Sequence, residues 1–339
     1  FLKIFQPTLI LKKKILELSQ IPMNLQEKNT VENILIQDIN GIGLYLKRED
    51  LLHPQVSGNK FRKLKYNLAF AKKTNKQTLL TYGGAFSNHI AATAAAASLQ
   101  GLRSIGIIRG DELAKKINTV LEENTTLQTA YENGMKLIFV NRGQYRKKDN
   151  IPFTEFLKHD SFAKKDFRVD PSDVYIIPEG GTNALAVRGC EEILQEGDTG
   201  FDYICCPVGT GGTISGIINA SAHKQKILGF PALKGDFLTA EIKKYARKDN
   251  WQLITDYTFG GYGKINTQLV DFINTFKKEH KIALDPVYTS KMLYGICDMV
   301  NNGYFRAGAN ILAIHTGGLQ GIAGFNSLLS KKGLQTIDT

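Results

Sequence analysis

The sequence predicts an α/β fold of open, twisted, mostly parallel sheets flanked by helices. Three observations predict it. Short apolar runs of strand length alternate with helical segments along most of the chain. Continuous apolar strands of this kind are buried on both faces, as in parallel sheets covered by helices. Several of the runs end in paired glycines, at the strand ends where open α/β sheets collect ligands. Finally, 339 residues exceed what one core usually organises, so two domains are expected.

The elements follow in order. Thr78 to Tyr82 is a β-rich run that ends in Gly83-Gly84, and Asn88 to Leu99 is an alanine-rich helix. Ser104 to Ile108 reads as a strand, Asp111 to Tyr131 as a helix, and Lys136 to Val140 as the next strand. After a basic, irregular stretch, the strand Val174 to Ile177 leads into Pro178-Glu179-Gly180-Gly181, and Ala184 to Gln195 reads as a helix. Tyr203 to Pro207 is a strand and Ile214 to Ala222 a helix. Lys226 to Gly229, Gln252 to Ile254 and Asn310 to Ile314 complete the strands. The sequence contains no tandem repeat and no low-complexity linker.

Composition narrows the class. An apolar share of 42% with 22% charged residues is ordinary for a soluble globular protein. No run approaches the 18 or so apolar residues of a membrane helix. The segment Phe1 to Gln20 is too short in its apolar part, and too charged after it, for a signal peptide. Met23 is a candidate natural start. The net charge is +11, but the lysines are scattered in pairs among acidic residues and accompany no nucleic-acid motif. Solvated helix faces are the expectation, with no nucleic-acid partner. The four cysteines have no metal spacing, and Cys205 and Cys206 alternate across a strand. Neither a metal site nor a disulfide framework is expected, and a reducing cytoplasm fits.

Two segments carry chemistry on local grounds. The strand ending at Pro207 runs through Val208-Gly209-Thr210-Gly211-Gly212-Thr213 into a helix. Its glycines let backbone N–H groups approach an anion, and the helix start adds free donors and partial positive charge. It lacks the Gly-Lys-Ser/Thr of a nucleotide-binding loop, and its third glycine is misplaced for a dinucleotide fingerprint. Phosphate binding and a tight structural turn both remain open readings. Ser87-Asn88-His89 opens the alanine-rich helix, as caps or as ligands for a carboxylate or cofactor oxygen.

These segments join Ser57-Gly58-Asn59-Lys60-Phe61-Arg62-Lys63-Leu64, Tyr45 to Leu52, Pro178 to Asn183, Asp285-Pro286-Val287-Tyr288 and His315-Thr316-Gly317-Gly318. In this order and spacing the chain resembles the D-cysteine desulfhydrase and 1-aminocyclopropane-1-carboxylate (ACC) deaminase family of pyridoxal phosphate (PLP) enzymes. These are tryptophan synthase β-like proteins of fold type II. The resemblance runs from about Met23 to near Leu329. It implies that Lys60 holds PLP as a Schiff base, that Asn88 contacts the ring hydroxyl, and that Val208 to Thr213 cradle the phosphate. Thr316 matches the position facing the pyridine nitrogen. Ser87, Asn88, His89, Tyr262 and Tyr288 match substrate-side positions, with Ser87 and both tyrosines in catalytic roles. Locally, nothing marks the tyrosines as more than packing residues. The family also implies a homodimer, a large domain of 1–62 plus 171–339, and a small domain of 63–170.

The chemistry so implied is deamination of a small amino acid by α,β-elimination, yielding keto acid, ammonia and, from D-cysteine, sulfide. ACC ring opening is the alternative. Two positions bear on the choice. ACC deaminases carry a glutamate where this chain has Thr289, and an apolar residue where it has Thr316. Threonine leaves the pyridine nitrogen neutral and the electron sink weaker, which suits prompt expulsion of a leaving group. Phe61 and Phe86 depart from the smaller or polar residues usual in the family, and His89 replaces a glutamine. Phe86, beside Ser87, is expected to reshape the substrate pocket. A non-catalytic PLP-binding regulator is the reading from another class, and the retention of Lys60, Ser87, Tyr262 and Tyr288 argues against it.

Overall fold

The structure, a computed structural model, describes residues 31–338. The Met23 reading lies outside them. Two sheets organise the chain, in the mostly parallel arrangement the strand pattern predicts. The first has six strands: β1 (Asn33–Ile39), β2 (Ile42–Lys47), β8 (Tyr203–Val208), β9 (Lys226–Pro231), β10 (Trp251–Leu253) and β11 (Asn310–Ile314), in the order β1-β2-β11-β8-β9-β10. Only β1 and β2 run antiparallel; the other pairings are parallel. The second has five strands: β3 (Thr78–Gly84), β4 (Arg103–Arg109), β5 (Lys136–Val140), β6 (Ser161–Phe162) and β7 (Val174–Ile177), in the order β6-β5-β4-β3-β7. Here only β5 and β6 are antiparallel.

Strand β7 falls beyond the expected boundary at residue 170, yet it pairs with β3, Thr78 opposite Val174 and Thr81 opposite Ile177. The second sheet therefore extends through Ile177. The hairpin β1–β2 escaped the strand pattern. Asn40 and Gly41 both have positive φ, 54° and 79°, the conformation that an Asn-Gly hairpin turn requires. That dipeptide was a readable signal.

Two helices are shorter than the apolar pattern suggests. The stretch from Asp111 breaks into a 3₁₀ segment, a helix Ile117–Glu123 and a second helix Thr125–Glu132. Asn124 causes the break, because its side chain accepts the Leu127 N–H at 3.0 Å and caps the second helix. The helix from Ala184 ends at Cys190 and tightens into a 3₁₀ turn, Glu191–Ile193. Cys205 and Cys206 do face opposite sides of β8, in separate apolar clusters. Among the described residues there is no cluster of metal-ligating side chains, and no helix is long and apolar enough to cross a membrane.

Close backbone contacts tie the site helices together. A Cβ on Gly189 would lie 1.9 Å from the Arg62 carbonyl, so the helix Ala184–Cys190 packs directly on the helix Asn59–Lys73. Gly216 plays the same part between Ala184–Cys190 and the helix Gly212–Ala220, where a Cβ would meet Cys190 at 2.5 Å.

Candidate active site

Lys60 occupies the first turn of the helix Asn59–Lys73. Gly58 turns the chain into it at φ 62°, and any Cβ there would lie 2.0 Å from the Thr316 carbonyl. Only glycine permits that approach and that conformation together. The Asn59 N–H then donates to the same carbonyl at 3.3 Å. Arg62, two residues on, anchors the helix through a fully buried bidentate pair with Glu49, both bonds 2.9 Å. Phe61 is buried in an apolar cluster, away from the cavity.

The Lys60 amine opens into a cavity shared with Asn88, Val208, Gly209, Thr210, Gly211, Thr213 and Thr316. Its pKa falls from 10.5 to about 7, first because burial penalises the ammonium and then because Lys63 adds like charge. Lys63 belongs to the same motif, Ser57 to Leu64. It lies one helical turn from Lys60, lines the same cavity, and donates to Gly180 O at 2.9 Å, Thr182 Oγ1 at 3.0 Å and Thr210 Oγ1 at 3.3 Å. The lysine spacing of three could have shown that both face one side.

The glycine loop has the geometry an anion needs. Gly211 sits at φ 83° before the helix Gly212–Ala220, whose side chains provide no cap. Its first amides are therefore free to donate outward. Thr213 Oγ1 accepts from Asn59 Nδ2 at 2.9 Å, which ties the loop to the Lys60 helix. Tyr288 covers Gly209, where a Cβ would stand 3.2 Å from its hydroxyl.

Ser87 occupies the cap position of the helix Asn88–Leu99, makes no capping bond with its side chain, and lines neither the Lys60 cavity nor the one beside it. Asn88 lines the Lys60 cavity and also a second cavity beside it. His89 lines neither. It is buried, its Nε2 lies 2.9 Å from Thr81 Oγ1, and Gly181 packs on its ring. Burial and the nearby lysines hold it neutral, well below its usual pKa. The expected substrate contact of His89 is thus a packing contact under the helix, because position 89 turns inward while 88 faces the cleft.

Asp285 places Tyr288. Its carboxylate accepts the N–H groups of Val287 at 3.0 Å, Tyr288 at 2.7 Å and Thr289 at 2.8 Å, at the start of the helix Thr289–Asn301. The Tyr262 ring packs edge-on against the Tyr288 ring, with centroids 6.2 Å apart and planes at 67°. Burial raises the pKa of both phenols. Tyr262 rides on a turn in which Gly260, Gly261 and Gly263 all have positive φ. Lys291 grips that turn, donating to Thr258 O at 2.8 Å and Gly261 O at 2.9 Å from a buried position. Nothing local in the sequence pointed to Lys291.

Thr316 lines the Lys60 cavity, whereas Thr289 is fully buried, lines neither cavity, and leaves its hydroxyl without a partner. His315 fixes the Thr316 segment, with Nε2 donating to Ala283 O at 2.8 Å and Nδ1 accepting from Gly317 N–H at 3.2 Å. No carboxylate lines the Lys60 cavity among the described residues. An amine of lowered pKa, a glycine-rich loop that opens a helix beside a second lysine, and Thr316, all lining one cavity, together fit a phosphate-bearing aldehyde.

The profile of the family described as "Pyridoxal-phosphate dependent enzyme" matches residues 31–317. This chain belongs to that family. Its fold type II architecture and its PLP cofactor follow. A Thermotoga maritima protein named as a candidate 1-aminocyclopropane-1-carboxylate deaminase is 32% identical, over 83% of this chain and 90% of its own. The mitochondrial bifunctional D-cysteine desulfhydrase/1-aminocyclopropane-1-carboxylate deaminase of Arabidopsis thaliana is 29% identical, over 84% of this chain and 74% of its own. The crystal structure of an ACC deaminase homologue superposes with a TM-score of 0.68 at 25% identity, covering 96% of this chain and 99% of that one.

Proposed function

We propose that this PLP-dependent enzyme is a carbon–sulfur lyase of D-cysteine desulfhydrase type. It would release an α-keto acid, ammonia and sulfide from a small amino acid. The observation that carries this reading is the absence, among the described residues, of any carboxylate along the Lys60 cavity; Thr316, on its wall, is the polar group we assign to the pyridine nitrogen. Bound there, PLP supplies a sink for the electron pair left when a bond at the substrate α-carbon breaks. A neutral Thr316 hydroxyl tempers that sink, so the pair moves on to expel a leaving group.

The chain's own residues do the rest. Lys60, with a pKa of about 7, is a competent base for the α-proton near neutrality. Val208 to Thr213, with Lys63 behind them, hold the phosphate, and Asn88 meets the ring hydroxyl. Ser87 and the free N-terminal amides of its helix receive the substrate carboxylate. The Tyr262–Tyr288 pair stands beside the site, protonated, to deliver a proton to departing sulfur. Residues 63–170, extended by β7, form the smaller unit that closes on substrate and excludes water. We place the enzyme in the cytoplasm as a homodimer.

Purified protein supplied with D-cysteine and, separately, with ACC tests the reading. Keto acid, ammonia and sulfide from D-cysteine are expected. Keto acid from ACC with none from D-cysteine overturns it in favour of ring opening. PLP absorbance without turnover of any amino acid favours the non-catalytic regulator.

A further inference from the structure

A second cavity, about 120 Å³, adjoins the Lys60 cavity and shares Asn88, Tyr288 and Gly318 with it. Its other walls are Phe86, Tyr262, Val287, Pro286, Phe325 and Leu328, with backbone from Gly263 and Gly321. Among the described residues, the only charged one lining it is Asp285, whose carboxylate oxygens are occupied by the Val287, Tyr288 and Thr289 N–H groups, and no cation lines it. Phe86 defines one wall by packing on Gly324, where a Cβ would lie 2.8 Å from its ring. Phe86 is one of the residues that depart from the family pattern.

Resting on the lyase reading, we propose that this cavity receives the substituent on the substrate's sulfur, and that the enzyme's preferred substrates are cysteines carrying a small apolar S-alkyl group. A thiol leaves the pocket largely empty. An apolar cavity of about 150 Å³ holds a benzene ring, so this one accommodates a chain of about three or four carbons. The reaction stays balanced. The α-proton passes to Lys60 and the C–S bond breaks with its electron pair on sulfur. The alkanethiolate takes a proton from the tyrosine pair, and the 2-aminoacrylate left behind takes up water to give pyruvate and ammonia. A carboxylate on the substituent would meet Asp285 and no compensating cation.

The test is a kcat/KM series on the holoenzyme with D- and L-cysteine and their S-methyl, S-ethyl, S-propyl and S-carboxymethyl derivatives, followed by pyruvate. On the favoured enantiomer, kcat/KM is expected to rise about four-fold per added methylene, with S-carboxymethyl well below S-propyl. Leu328→Trp, which fills the cavity, should lower the S-propyl to cysteine ratio at least about ten-fold. A flat or falling series, with cysteine itself turned over, overturns the pocket assignment and leaves the lyase reading standing. Equal rates for S-carboxymethyl and S-propyl overturn it too. No turnover of any compound in the series overturns both.

Discussion

Replacing Lys60 with methionine isolates the energetic cost of burying its amine. In the unfolded chain the amine keeps its proton to about pH 10.5; in the folded, PLP-free protein it gives it up near pH 7. Between those values the folded state binds fewer protons, so stability rises with pH across that window. The full shift corresponds to about 5 kcal/mol of differential interaction. Integrated from pH 7 to pH 9 alone, it contributes about 2 kcal/mol. Urea unfolding of the PLP-free protein at pH 7, 8 and 9, for wild type and Lys60→Met, yields the difference directly. Relative to Lys60→Met, wild type should gain about 2 kcal/mol of stability over that range. An independent readout is amine-selective acetylation of Lys60 followed by peptide mass spectrometry, whose rate should have its midpoint near pH 7. A stability difference that does not change with pH, or a labelling midpoint near 10, refutes the burial account.

Three further outcomes are expected. Glu49→Ala leaves the Arg62 guanidinium buried without its bidentate partner and should cost about 3–5 kcal/mol in denaturant unfolding. Gly58→Ala forces a Cβ into the Thr316 carbonyl 2.0 Å away, so it should abolish PLP absorbance, while Gly41→Ala, with open space around it, should retain it. Lys291→Met removes the buried Nζ that donates two hydrogen bonds to carbonyls of the Tyr262 turn, at about 1–3 kcal/mol. It should lower kcat/KM about ten-fold or more with the PLP spectrum unchanged, and unaltered kinetics would argue against the clamp.

Much of the fold and part of the site were legible in advance. The strands Lys136–Val140 and Asn310–Ile314 and the helix Asn88–Leu99 appear with the ends the apolar pattern predicted. Burial on both faces makes such segments uniformly apolar, and so easy to read. The apolar pattern predicts one helix from Asp111, and Asn124 interrupts it through one local hydrogen bond, which hydrophobic periodicity does not record. Lys63 and Asn59 went without roles for a different reason. Their partners, Gly180, Thr182, Thr210 and Thr213, lie more than a hundred residues away.

From sequence alone came the chemistry on offer: a lysine beside a glycine turn, a glycine-rich loop opening a helix, and the resemblance that joined them to PLP. These are local patterns, dictated by backbone geometry within a few residues. Only the tertiary structure decided which groups share a cavity. It set Thr316 on the wall and Thr289 in the interior, turned His89 inward, and placed Phe86 over Gly324 beside the tyrosines. It also enclosed the Lys60–Lys63 helical turn with distant segments, and burial together with like charge is what lowers the Lys60 pKa to about 7. The like charge is local to the helix, but the desolvation comes from segments far apart in the chain, so no local pattern contains it.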